Sequence, residues 1–153
     1  MKHTLKTTIG IVSICLIALA ACKKKKDDSV KARLSGKWTM TQVGTDANNN
    51  NVMDASEVVP APDTLPIALT FKGDGNGDFS TSFFGTNLSL AFTWTLSNSD
   101  KDINIKPAST TTGLPVTEGV LHIYSLTGAE LVVKDTATID SALMNTWTVY
   151  KKQ

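Results

Sequence analysis

Cysteine and histidine are scarce: the 153 residues hold two of each, Cys15, Cys22, His3 and His122. That leaves no thiolate or imidazole set for zinc, which takes three or four such ligands, and no multi-bridge disulfide scaffold. Long apolar runs are missing too. The longest, from Ile9 to Ala20, is about 12 residues, where a membrane-spanning helix needs about 20. No stretch sustains a 3.6-residue apolar period, so a helical bundle is not expected. There is no G-x-S-x-G elbow. Carboxylate pairs fall only in loops and turns, which leaves no acid/base dyad. Gly73 to Gly77 joins two strands and opens no helix, so it is no phosphate loop. No enzyme activity is expected. A basic surplus is also lacking in the body. From Leu34 onward there are seven Lys/Arg against twelve Asp/Glu, and phosphate backbones demand the opposite balance. Nucleic acid is not an expected partner.

The N-terminus supplies what the body lacks. Lys2 and Lys6 precede the short apolar run, and Leu19-Ala20-Ala21-Cys22 follows it. This order resembles the cleavage box of bacterial lipoproteins. The resemblance implies a signal peptide over 1–21 and a lipid-bearing (palmitate-type) Cys22 as the first mature residue. It also implies anchorage to the bacterial outer membrane, on the periplasmic side or at the cell surface. An ordinary signal peptide cut after Ala21 is the plainer alternative. After cleavage no cysteine remains for a disulfide. Residues 22–33 carry six Lys/Arg against two Asp, a self-repelling tether suited to an anionic membrane surface. Within it Lys26-Asp27-Asp28 resembles a surface-export signal. Asp28-Ser29-Val30, Asp63-Thr64-Leu65, Asp135-Thr136-Ala137 and Asp140-Ser141-Ala142 resemble short O-glycosylation acceptors, with turn chemistry as the competing account.

From Leu34 the period is two. Leu88, Leu90, Phe92, Trp94 and Leu96 alternate with Ser89, Ala91, Thr93 and Thr95, and Ile67, Leu69 and Phe71 with Ala68, Thr70 and Lys72. Shorter runs follow around Phe79–Phe83, Ile103–Lys106, Gly119–Leu126, Glu130–Lys134 and Met144–Lys151. With the opening Leu34–Met40 they make about eight strands punctuated by turn residues, the pattern of an all-β sandwich or barrel. A short helical turn is expected near Ser141 to Asn145. Gly36-x-Trp38 at the first strand resembles the lipocalin fingerprint. Phe71-x-x-Asp74-Gly75, Trp94, Ile123-x-x-Leu126-Thr127 and Glu130-Leu131 resemble the lipocalin-like domains of small bacterial lipoproteins. The resemblance implies an antiparallel, up-and-down, eight-stranded barrel over 34–153, with Trp38 plugging its closed end.

One polar stretch has metal-ligand spacing. With Asp46 as position one, oxygen-bearing side chains fall at Asp46, Asn48, Asn50, Asp54 and Glu57. Val52 offers its carbonyl at position seven, and Met53 fills the apolar eighth position. This is the ligand order of a twelve-residue Ca²⁺ loop. Asn51 stands where glycine is usual, and asparagine tolerates the left-handed backbone needed there. Without flanking helices, a structural Ca²⁺ or a plain polar loop are the two readings. Asp74, Asn76 and Asp78 read as turn chemistry, and His122 as a lone strand histidine. For function, Phe79, Phe83, Phe92 and Trp94 are candidates to line a barrel mouth that holds a small apolar ligand. The alternative is a fully packed barrel that serves as an interaction module for an envelope protein partner.

Overall fold

The computed structural model describes residues 28–83, 85–108, 118–139 and 142–153. Residues 1–27, where the signal peptide, Cys22 and most of the tether are expected, lie outside them, as do Phe84, Asp140, Ser141 and most of the loop after Pro107. A one-turn helix, α1 (Val30–Leu34), leads into strands β1 (Gly36–Thr45), β2 (Val58–Pro60), β3 (Ile67–Phe71), β4 (Asn76–Phe83) and β5 (Thr86–Ser97). Strands β6 (Asp102–Pro107), β7 (Gly119–Leu126), β8 (Glu130–Ile139) and β9 (Ala142–Lys152) complete the chain. Each strand from β3 to β9 pairs antiparallel with the next, and β9 pairs back onto β1. The result is a closed eight-stranded barrel, with β2 a ninth short strand added to the edge of β1. Closure pairs each of the eight barrel strands on both sides, which removes the open edges of the barrel itself, and among the described residues β2 pairs only with β1.

Three local readings change. Residues 30–33, expected in the tether, form most of α1. Five residues are too few to show a helical period, and the helix is set by the Ser29 cap, whose hydroxyl accepts from Ala32 N–H. Strand β2 was not expected, because three residues ending in proline carry no alternation. The expected helical turn near Ser141 to Asn145 is instead the start of β9, where Leu143, Met144 and Asn145 pair with Thr138, Ala137 and Thr136.

The two ends of the barrel differ. At one end, Trp38 is fully buried and donates from Nε1 to Leu34 O at 2.6 Å. Lys152 Nζ lies 5.0 Å over its ring and donates to Arg33 O, while Arg33 Nη1 donates to Leu126 O. These ties seal the base with α1. Gly36 takes φ +134°, and a Cβ there would stand 2.6 Å from Lys152 Cε. Above the plug, Phe71 meets Phe92 and Trp94 edge-on at 5.7 and 5.3 Å, within the range aromatic pairs favour. Leu69, Ile103, Leu131, Val133 and Tyr150 complete this core. Burial pushes the Tyr150 phenol up to about 12.

Candidate functional site

Pairing registers show which residues face inward near the other end. Ile67 sits opposite Thr81, which sits opposite Leu88, and Leu69, Phe79 and Leu90 form the next layer down. On the far wall Ile105 continues the face of Trp94, and Leu121 continues that of Ile103. Ile67, Phe79, Leu88, Leu90, Ile105 and Leu121 all remain partly exposed, as do Leu96 and Leu126 toward the base, whereas Trp38, Phe71, Phe92 and Trp94 are buried. The hydroxyl oxygen of Thr81 is buried and has no hydrogen-bond partner.

Of the four aromatics expected at a mouth, Phe92 and Trp94 belong to the packed core. Trp94 is 3% exposed, and its Nε1 donates to the carbonyls of Lys72 and Asn76 at the closed end. The alternation of β5 was read correctly, but it does not say how far along the barrel axis a residue lies. Phe79 sits at the boundary, packed against the core and half-buried. The side chain of Phe83 lies outside the described residues. Two cavities lie near the mouth. One, of about 340 Å³, lies on the outer side of β1, β3, β4 and β5, lined mostly by the outward-facing Lys37, Thr39, Ala68, Ser80 and Ser89, with Ile67, Thr81 and Leu88 at its margin. The other, of about 670 Å³, lies along Pro62–Pro66 with Ser82 and Gly85. Phe79, Phe92 and Trp94 line neither cavity.

The Asp46–Glu57 loop folds back on the outside of the barrel. A register shift between Met40 and Gln42 reverses the faces of β1, so that Gly44 sits opposite Trp147 on the outer wall. Trp147, Val149 and Val132 are each 1% exposed there. Tyr124 leans on Trp147 at 4.7 Å, and Lys134 Nζ lies 5.3 Å over its ring. Asn51 Oδ1 fastens the loop to this wall by accepting from Lys134 Nζ at 2.6 Å and Asn145 Nδ2 at 3.0 Å. At Gly44 a Cβ would stand 2.6 Å from Glu57 O and 2.7 Å from Val58 Cγ1, so the chain crosses where only glycine fits.

Within the loop Asp46 is fully buried. Its carboxylate accepts from the N–H groups of Asn50 and Asn51 and from Asn145 Nδ2, at 3.0 to 3.1 Å. Burial pushes this carboxyl up, but those donors and the Lys134 charge together hold it below the ordinary 3.8. Asn48 and Asn50 each accept, through Oδ1, the N–H two residues on, and Asn51 has the left-handed φ of +62° expected of it. Asp54 Oδ2 accepts from Asn48 Nδ2 and Asn50 Nδ2, both at 3.0 Å. Glu57 Oε1 accepts from Asn48 N–H, while its Oε2 is buried with no partner. Val52 contributes its N–H to Asn50 and leaves its side chain exposed. Among the described residues no three His, Cys, Asp or Glu side chains converge as a metal-holding group; amide groups interleave the carboxylates instead.

His122 Nδ1 lies 2.8 Å from Asp102 Oδ1 on the outer face. The bond to His122, with Asn98 and the Lys101 charge, holds the Asp102 carboxyl below 3.8 against its burial. Sequence reasoning missed Arg33, Lys152, Lys134 and Asn145, which act from far along the chain and carry no local pattern. Thr81 was legible only as one polar residue on an otherwise apolar strand face.

A closed antiparallel barrel, sealed at one end by a tryptophan and open to partly exposed apolar walls at the other, defines the class. The family model for the lipocalin-like domain matches residues 34–133, and the chain belongs to that family. No curated protein matches. Among solved structures, bovine odorant-binding protein complexed with its natural ligand is 16% identical at a TM-score of 0.44, over 86% of this chain and 77% of that one. Lobster apocrustacyanin A1 is 9% identical at 0.44, over 79% and 61%. The bovine lipocalin allergen Bos d 2 is 11% identical at 0.44, over 80% and 75%.

Proposed function

We propose that this chain is a non-enzymatic, lipid-anchored protein of the bacterial outer membrane that holds a small apolar molecule in the upper half of its barrel. The observation that carries the ligand reading is the contrast in burial along the inward face. Ile67, Phe79, Leu88, Leu90, Ile105 and Leu121 point inward yet stay partly exposed. Covering apolar surface is worth roughly 25 cal/mol per Å², so an apolar guest gains by filling the space that side chains leave. Titrating the barrel with the fluorescent probe N-phenyl-1-naphthylamine tests this. Saturable enhancement at about one site is the expected result, and no enhancement at micromolar protein would remove the ligand from the account.

The Asp46–Glu57 loop is proposed to take a structural Ca²⁺. Its donors are oxygens, as a hard cation requires. Glu57 Oε2 is a buried acceptor with no donor, and amide N–H groups of Asn48 and Asn50 stand against Asp54 where a positive charge is wanted. The ion would supply that charge while Asn51 keeps the loop on Lys134 and Asn145. Millimolar Ca²⁺ is expected to raise the melting temperature of the wild type and not of the Asp46→Ala, Glu57→Ala double variant. An equal response in both would sink the metal reading. The anchor rests on the Leu19–Cys22 pattern, and α1 begins only eight residues after Cys22. Cys22→Ala is expected to release the protein from membranes.

A further inference from the structure

We infer that the sealed base is a docking face for an anionic lipid surface, so that the anchored protein stands base-down with its mouth turned away from the bilayer. This rests on the reading of Cys22 as a lipid anchor and adds a second contact to it. The observation is where unpaired charge lies. Lys31 on α1, Lys37 and Lys151 at the basal ends of β1 and β9, and Lys101 in the turn between β5 and β6 are all exposed. Within the described residues none of the four forms an ion pair. Above the base the described residues hold two cations, and each is occupied: Lys106 lies 3.4 Å from Glu118, and Lys134 donates to Asn51. Carboxylates dominate there, with Asp54, Glu57, Asp63, Glu118 and Asp135 joined by the buried Asp46. At the base two of the acids are taken, Asp78 by Lys72 and Asp102 by His122, both at 2.8 Å. Over the described residues the base carries seven Lys/Arg against six Asp/Glu, and the rest of the barrel two against six. In sequence Lys23 to Lys26 come shortly before α1 and add to the basal side.

An anionic leaflet attracts lysines only within about a Debye length, about 8 Å at physiological salt. Strand β1 has ten residues, about 33 Å of extended chain and about 25 Å along the axis of a tilted barrel. Base-down, the free lysines lie inside that layer and the upper carboxylates outside it. Mouth-down, the order is reversed. Helix α1 begins eight residues after Cys22, a reach of at most about 28 Å. That is slack enough for the barrel to lie on its side, so charge and not the tether sets the posture.

The test uses the full lipid-bearing chain reconstituted into vesicles that contain an acceptor-labelled lipid. A donor dye is placed either on Gly128→Cys, in the basal turn between β7 and β8, or on Thr64→Cys near the mouth. Both positions are exposed, and a Cβ at Gly128 meets nothing within 4 Å. On phosphatidylglycerol vesicles at low salt, energy transfer from position 128 is expected to exceed that from position 64 several-fold. High salt, or phosphatidylcholine in place of phosphatidylglycerol, is expected to shrink that gap. The triple variant Lys31→Glu, Lys37→Glu, Lys151→Glu is expected to remove it while the protein stays on the vesicles. A neutral triple variant, Lys31→Gln, Lys37→Gln, Lys151→Gln, is expected to narrow it and stands in should the acidic one fold poorly. Equal transfer from the two positions in the wild type overturns the inference. So does a gap that survives salt and the variants, since the tether alone then sets the posture. Loss of the wild type from both kinds of vesicle overturns the anchor reading beneath it.

Discussion

The base and the mouth of the barrel are made from the same eight strands and the same alternation, yet they are finished differently. At the base the large inward rings are buried against the core: Trp38 is capped by α1 and bonds the Leu34 carbonyl, and Phe71 meets Phe92 and Trp94. At the mouth the inward side chains are smaller and half-exposed, and one of them keeps an unpaired hydroxyl. Stability is concentrated where packing is complete, which leaves the other end free to trade packing for occupancy. The outer wall repeats the contrast: one stretch is covered by the Asp46–Glu57 loop, while the outward positions of β5 are exposed and small.

Trp38→Ala is the largest expected blow to this division. It removes a fully buried ring and its hydrogen bond and is expected to cost about 3–5 kcal/mol, read as a fall in the urea midpoint. Gly44→Ala comes next, at about 1–3 kcal/mol, because its methyl group meets the Glu57–Val58 backbone and lifts the loop. Its signature is faster hydrogen exchange in β2 and around Trp147, with the base unaffected. Acid is a gentler probe. The Asp46 and Asp102 carboxyls are both held below 3.8 in the fold. Their contribution is therefore present above that value and lost as pH falls through the lower folded value. Melting temperature is expected to fall with pH in that range, and less steeply in Asp46→Asn and Asp102→Asn. Leu88→Ala is expected to cost least, about 1 kcal/mol or less given its partial exposure, while weakening N-phenyl-1-naphthylamine. If Leu88→Ala destabilised the fold as much as Trp38→Ala, the separation of the two ends would be wrong.

Much of this was legible in the sequence. The alternation of Leu88 to Leu96 names both a strand and its inward face, and Gly36-x-Trp38 marks the sealed end. What was not legible has specific causes. In β9 both faces are buried, Tyr150 inward and Trp147 with Val149 outward under the loop, so alternation alone does not say which face is the core. The shift at Met40/Gln42 reverses the faces of β1 midway, and nothing in Met40-Thr41-Gln42 announces it. The left-handed conformation of Asn51 was legible; its grip on Lys134 and Asn145, more than 80 residues away, was not. Phe92 and Trp94 were read as a mouth because their face was known and their height was not.

Residues at the two ends of the described chain meet at the sealed base. Lys152 Nζ bonds Arg33 O, and Gln153 N–H donates to Lys37 O at 2.9 Å. A linker of a few residues from Gln153 to Val30 would thus join neighbouring points, and the chain could be reopened at an exposed turn such as Thr127–Ala129 without cutting a strand pairing. Anything fused at either end leaves from the pole opposite the mouth. A reporter or a surface attached there would hold the barrel by its floor and leave its opening clear.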